Sequence, residues 1–460
     1  MGAPLEPDDE TLADWTARAA AFVRAQLAAL AHLPAADVDD VSALVESFRE
    51  GLPEQGVGLE ELLARLDPAV RKSFTTPGPG YLAFIPGGGL PSSALGTYIA
   101  ASVNRYVGVA QAAPALAQIE ATTVRWLAES MGYPLDATGV LTTGGSLSTL
   151  TAIVAARGAR LGEDFGRGVI YTSEQTHASL AKALRVAGFR RDQLRTLPVD
   201  SRFRLVPAAL EAAIEADRSR GLTPFLLNVN AGTTNTGAVD PIPALSRVAR
   251  DAGLWVHADA AYGGFFRWVD EALVPGLELV DSITLDPHKG LFLPYGTGCV
   301  LVRDGGALRR AFESDADYLR DVASAGEATD FTDLSPELSR AFRGLALWLP
   351  LMLHGVAAFR DALAEKLELA RYFAARLRQD ERFELLDEPQ LSVVAFRLRG
   401  QDDHANAALL RRVNARGRVF LSSTRVQGRH AIRVCVLCFR THRDRLDDAL
   451  EALRQEARPS

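Results

Sequence analysis

Ser282-Ile-Thr-Leu-Asp-Pro-His-Lys-Gly290 reads as an apolar strand running into a turn, with Lys289 standing at the turn. A lysine meant for solvent needs no particular neighbours. One that must form an imine needs desolvation, which lowers its pKa and frees the nitrogen lone pair. Alone, the stretch fits an ordinary surface lysine as well as a nucleophile, so the choice rests on what the other strand ends carry.

Working outward from it, strands and helices alternate. Residues 140–142 lead into Gly144-Gly145-Ser146 and a helix through Ala159. Residues 169–172 precede a helix over 179–186, and residues 225–229 precede a glycine turn and a helix over 242–252. Residues 255–259, 282–285 and 299–302 are further strands. This alternation predicts an α/β fold, a largely parallel sheet with helices on both faces. Ligands in such folds sit at the carboxyl ends of the strands.

The flanks differ in character. Asp8 and Asp9 predict caps for a helix carrying Leu12, Trp15, Ala19, Phe22, Val23 and Leu30 at helical spacing, and a second helix is expected over 59–66, ending ahead of Pro68. Such an arm must bury its apolar face on the main body or on a second subunit. Residues 76–91 are crowded with proline and glycine and predict a loop, whose aromatic residues either wall a pocket or pack on the core. Residues 315–336 are polar and acidic with weak periodicity, a candidate lid. Helical pattern follows over 340–378. Strands near 391–396 and 430–439, flanking a helix near 405–414, then predict a separate α+β lobe.

Composition sets limits on function. The chain has 460 residues, 48% hydrophobic and 23% charged, which excludes wholesale disorder and predicts more than one packed lobe. A net charge of −7 without a basic stripe argues against nucleic acid and anionic membranes as partners. Three cysteines fit a reducing compartment. Cys435 and Cys438, three apart on a predicted strand, face opposite sides, so neither a metal nor a redox pair is expected there or elsewhere. The N-terminus lacks the basic and apolar regions of a signal peptide, and no apolar run reaches the ~18 residues of a membrane-spanning helix. The expectation is a soluble, cytoplasmic protein.

Four other turns fall where strand ends should be. Thr142-Thr-Gly-Gly-Ser-Leu-Ser148 joins a strand to a helix, and its glycines and helix start offer N–H groups and the Ser146 hydroxyl to a phosphate. It is not the GxGxxG dinucleotide fingerprint. His177 stands just past a strand, and the polar turn from Asn230 to Asp240 presents hydroxyls to a ligand or to its own backbone. Asp259 ends an apolar strand, which is costly unless it meets a positive partner, and the small residues after it leave room for a flat ligand. Together these groups point to pyridoxal phosphate. Lys289 forms the imine, the Ser146 turn takes the phosphate, and His177 stacks on the ring. Asp259 keeps the pyridine nitrogen protonated, so that the ring can act as an electron sink.

Gly139-Val-Leu-Thr-Thr-Gly-Gly-Ser-Leu-Ser, His177, Ala231-Gly-Thr-Thr-Asn-Thr-Gly, His257-Ala-Asp-Ala-Ala-Tyr-Gly and Asp286-Pro-His-Lys occur in this order. In this ordered set the chain resembles the group II pyridoxal-phosphate decarboxylases, the aromatic-L-amino-acid and glutamate decarboxylase family of fold type I, from about Pro77 to the C-terminus. The resemblance implies an N-terminal helical arm (1–75), a large cofactor-binding domain (76–345) with a mainly parallel seven-stranded-type sheet, and a small C-terminal α+β domain (346–460). It implies that Gly145 and Ser146 bind phosphate, His177 stacks on the ring with Thr234 beside it, Asp259 pairs with the pyridine nitrogen and Ala261 packs on the ring. Asp286 and His288 flank Lys289, with Asp286 standing where aromatic decarboxylases often have asparagine. Phe84, Ile85 and Pro86 correspond to the substrate pocket, and Tyr106 and Gly108 to a wall supplied by the partner subunit. A family tryptophan is replaced by Thr76.

The resemblance further implies a homodimer with its sites at the interface, acting on an L-amino acid, aromatic by preference, to give an amine and CO₂. Counting back from Trp348, the family's lid tyrosine aligns with Phe331, which has no proton to give. In the family this exchange accompanies oxidative formation of an aldehyde; Tyr318, His177 or a water are the alternative proton donors. Arg433 is expected in a structural ion pair. An aminotransferase and a non-enzymatic protein on the same scaffold are the rival readings.

Overall fold

The structure is a computed structural model that describes residues 5–313 and 329–457. Its larger sheet has seven strands: β1 (Thr138–Thr142), β2 (Gly168–Ser173), β3 (Leu194–Leu197), β4 (Thr223–Asn230), β5 (Trp255–Asp259), β6 (Ser282–Leu285) and β7 (Gly298–Val302), in the order β1-β7-β6-β5-β4-β2-β3. β7 runs antiparallel to both its neighbours and the remaining pairings are parallel. The strands β2, β6 and β7 are buried along their whole length because helices cover both faces, so neither set of side chains meets water. The expected α/β architecture is therefore present. β3 and the helix Pro207–Ser219 lie outside the sequence expectation. β3 is a four-residue edge strand with one buried residue and leaves no apolar run to detect.

A second, antiparallel sheet in the order β10-β11-β9-β8 is built from β8 (Phe383–Leu385), β9 (Val393–Leu398), β10 (Ser422–Val426) and β11 (Arg429–Cys435). The helices Asp403–Ala415 and Arg443–Glu456 belong to the same C-terminal region. Between the two sheets runs the helical segment Gly344–Arg378, broken where Gly355 takes φ 72°, ψ 158°.

Two N-terminal expectations meet different outcomes. Asp8 caps the helix Asp9–Ala29, accepting from the Thr11 N–H at 2.8 Å, and none of that helix's residues is buried. The second helix spans Leu59–Arg71 and does not stop before Pro68. The proline ring deletes one donor, yet the following turn still closes, with the Lys72 N–H on the Pro68 carbonyl at 2.9 Å. Residues 314–328, with Tyr318 and most of the candidate lid, lie outside the described residues. Among the described residues no helix is long and apolar enough to cross a membrane.

Register brings the chemistry to one edge. Asn230 on β4 lies opposite Asp259 on β5, and Asp259 lies opposite Thr284 on β6. Three neighbouring parallel strands therefore end side by side, and the turns that follow them share one cleft.

Candidate active site

Lys289 sits on the single helical turn Pro287–Gly290 that follows β6. Its Nζ lies 2.8 Å from Oδ2 of Asp286, whose side chain is almost wholly buried. The neighbouring His288 uses Nδ1 to donate to the Thr297 carbonyl at 2.7 Å, because a carbonyl only accepts. Its Nε2 is 3.6 Å from the same Asp286 oxygen. Burial pushes the His288 imidazole below its usual range, with the Lys289 charge adding to the effect. The ring is thus neutral at neutral pH, with its lone pair at Nε2. The other Asp286 oxygen, Oδ1, is buried without a hydrogen-bond partner.

Beside this turn begins the helix Gly145–Arg160. Its first N–H groups have no intrahelical acceptor. The approach is close and favours glycine: a Cβ on Gly145 would stand 3.0 Å from Asp286 Oδ2, a tight contact, and Gly144 adopts φ 150°, which L side chains rarely take. The Thr142 hydroxyl fastens the turn from below, at 2.7 Å from Ser148 Oγ and 3.3 Å from the Gly144 N–H.

Asp259 closes β5 and receives one hydrogen bond, from the Ala261 N–H at 3.2 Å. Burial pushes its carboxyl upward; Lys289, this hydrogen bond and His177 pull it back. His177 is exposed at the cleft, its Nδ1 accepting from the Ser179 N–H at 3.3 Å with Ser179 Oγ 2.8 Å away. Beneath the strand end, His257 is locked between Ser282 Oγ (2.8 Å from Nδ1) and Thr284 Oγ1 (3.2 Å from Nε2). Burial drives its pKa down to about 3.

These groups surround a cleft of about 430 Å³. It brings together Gly145, Ser146, His177, Thr234, Asp259, Ala261, Asp286, His288 and Lys289, all of them sequence candidates. Asn230 and Thr233 of the polar turn after β4 line it too, as do Tyr262 and, outside every sequence motif, Tyr295. Tyr295 sits in a loop after Pro294 with no pattern to mark it, whereas Tyr262 lies inside a motif that was read.

The remaining candidates lie elsewhere in this chain. Phe84 is 59% exposed, while Ile85 and Pro86 are buried, and none lines the cleft. Phe84 and Ile85 both take positive φ, 56° and 58°, an unusual pair for non-glycine residues. Two residues on, Gly87 lies so close to the Lys289 turn that a Cβ would fall 1.9 Å from the His288 carbonyl. Tyr106 donates its hydroxyl to the Leu338 carbonyl at 3.1 Å. Phe331 is fully buried in the core, with the Arg340 guanidinium 4.9 Å over its ring. Arg433 departs from the expected ion pair. Its guanidinium donates to Ser422 Oγ and to the Thr234 carbonyl, and among the described residues it meets no carboxylate. It ties the polar turn after β4 to the second sheet.

The arrangement fits pyridoxal phosphate on physical grounds. Asp259 is a partly buried carboxylate that accepts one hydrogen bond, from the Ala261 N–H, and a protonated ring nitrogen would supply its counter-charge. Gly145 leaves a cradle that a larger side chain would crowd, and the Lys289 amine lines the same cleft. Residues 44–399 match the family model "Pyridoxal-dependent decarboxylase conserved domain". The chain belongs to that family. An aromatic-L-amino-acid decarboxylase of Bacillus atrophaeus is 36% identical over 419 residues, 89% of this chain and 87% of that protein. A phenylacetaldehyde synthase of Petunia hybrida is 32% identical, over 82% of this chain and 80% of that one. The crystal structure of Oryza sativa TDC with PLP and tryptamine superposes with a TM-score of 0.93 at 28% identity, covering 99% of each chain. The protein is thus a carboxy-lyase that depends on pyridoxal 5′-phosphate.

Proposed function

We propose that this enzyme decarboxylates an aromatic L-amino acid to the corresponding amine. One observation carries the reading: a single cleft is lined by Lys289, Asp259 and the glycine-rich helix start at Gly144 and Gly145. Lys289 would hold the cofactor covalently, the N–H groups at Gly145 and Ser146 its phosphate, and Asp259 its ring nitrogen, with His177, Thr234 and Ala261 against the ring. Bound pyridoxal phosphate supplies the electron sink for the pair released when the Cα–carboxylate bond breaks. The chain's own work is orientation. Asp259, held by the Ala261 N–H, keeps a proton on the ring nitrogen. His177 has its Nδ1 engaged by the Ser179 N–H and Oγ, which orients its ring. Aromatic relatives over most of the chain support the substrate class.

Supporting a homodimer are the exposed apolar residues of the N-terminal helices, Leu12, Val23, Leu62 and Leu66 among them. The proposed division near residue 345 keeps β1–β7 in one domain and β8–β11 in the other. The test is a panel of amino acids assayed together for CO₂, amine, aldehyde and peroxide, with Lys289→Ala as control. Amine matching CO₂, lost in Lys289→Ala along with the borohydride-reducible chromophore, is expected. Consumption of the amino acid that requires a keto-acid acceptor and releases no CO₂ would sink the reading in favour of transamination.

A second reading rests on Phe331, which has no hydroxyl at the position of the family's lid tyrosine. It is oxidative release of an aldehyde, as the names of two relatives suggest. Peroxide equal to CO₂, with amine restored by Phe331→Tyr, would establish it.

A further inference from the structure

Asn230 ends β4 and lines the cleft, and it is held by a carboxylate that does not line it. That carboxylate, Asp240, is 1% exposed, and among the described residues it pairs with no cation. Its Oδ1 accepts from the Leu205 N–H at 2.7 Å. Its Oδ2 accepts from the Asn230 N–H at 2.7 Å and from the Asn230 side-chain amide at 3.0 Å, and the Asp240 N–H returns a bond to the Asn230 carbonyl at 2.9 Å. The same side-chain nitrogen of Asn230 donates to Thr176 Oγ1 at 3.1 Å and lies 3.2 Å from Ser173 Oγ. Asn230 therefore spans from the buried carboxylate to the end of β2 and the turn after it, where Thr176 directly precedes His177.

A buried charge without a cation costs stability, and a neutral amide would bury more easily. The carboxylate differs from an amide in that both of its ends accept. An asparagine here would turn its own N–H groups toward either the Leu205 donor or the Asn230 donors and so release one segment. We propose that Asp240 is a positioning residue for His177: by fixing the Asn230 amide it fixes Thr176, and with Thr176 the place of the imidazole at the cleft. The inference rests on the reading that His177 stacks on the cofactor ring. Two constraints then meet on His177. Ser179 engages Nδ1 and sets how the ring is turned, while Thr176 sets where the backbone that carries it stands.

The experiment is a double-mutant cycle on the holoenzyme, with Asp240→Asn, His177→Gln and the two combined. Its readouts are visible circular dichroism of the bound pyridoxal phosphate, thermal unfolding, and the rate of CO₂ release from the amino acid that the panel above selects. Asp240→Asn should weaken the dichroic band and lower the rate by about tenfold or more. In the His177→Gln background the same substitution should change the rate by less than about twofold, because the group it positions is gone. Thr176→Val breaks the chain of contacts at its other end with the carboxylate intact. It should reproduce the loss of dichroism, and it takes the place of Asp240→Asn in the cycle if that protein does not fold. A lowered melting temperature with wild-type rate and dichroism in Asp240→Asn overturns the proposal. So does an equal loss of rate in both backgrounds, or wild-type dichroism in Thr176→Val. Failure of the stacking reading looks different: His177→Gln then leaves rate and dichroism unchanged, and the role of Asp240 falls with it.

Discussion

His257 lies two residues before Asp259 on the same face of β5 and is kept neutral by burial, at a pKa of about 3 against 6.5 in an open chain. Between those values the unfolded chain binds the extra proton. The stability contributed by the neutral ring is therefore complete above about pH 6.5 and is lost as the pH falls toward 3, by about 1.4 kcal/mol per unit. Urea midpoints measured at about pH 7 and about pH 5 should fall more steeply for the wild type than for His257→Gln; parallel slopes would refute the assignment. Phe331 makes a second residue-scale case. Its ring is enclosed, so the hydroxyl added by Phe331→Tyr must find a partner or remain dry, at a cost of about 1–3 kcal/mol. Lower thermal stability in Phe331→Tyr is the expected outcome, independent of what the variant does to product. An unchanged melting temperature would mean that the ring leaves its core position readily.

At the scale of elements, the site depends on a turn and a strand that share space no side chain can enter. Gly298, at the start of β7, approaches Gly144 so closely that a Cβ would stand 2.5 Å from the Gly144 Cα. Gly298→Ala must therefore push the Gly144–Ser146 turn, proposed above to hold the phosphate, outward. Pyridoxal phosphate affinity should drop by about tenfold or more, with an overpacking cost of about 1–3 kcal/mol. A titration that gives wild-type affinity would show the turn to be more compliant than this contact allows. A buried ion pair anchors the following segment. Arg340 and Glu120 meet at 2.5 Å with both side chains fully enclosed, Arg340 also donates to the Leu141 carbonyl on β1, and Glu120 accepts from the Gly344 N–H. Removing one partner leaves a buried charge uncompensated, so Arg340→Leu is expected to destabilise by about 3–5 kcal/mol in denaturant unfolding.

Across the whole molecule, the N-terminal helices stand out as poorly covered: no residue of Asp9–Ala29 or of Leu59–Arg71 is buried, and Leu12 and Val23 on the first are about half exposed. If a second copy covers that face, Leu12→Asp with Val23→Asp should convert a dimer into a folded monomer by sedimentation. An unchanged mass would exclude the face from the interface. The sequence by itself determined the alternating architecture and most of the cleft lining, because apolar runs and glycine turns are local signals and the groups read from them stand at or just past strand ends. It missed β3 and the neighbouring helix, since a short, half-exposed edge strand leaves no such run, and it stopped a helix at Pro68 that loses only one donor there. Tertiary structure alone decided that Tyr295 joins the cleft, that Phe331 lies in the core and that Arg433 binds a carbonyl instead of a carboxylate. It also decided that Asp286 pairs with Lys289 beneath Gly145. Each of these depends on which segments meet across the sheet edge, and contacts between segments far apart in the chain leave no local pattern to read.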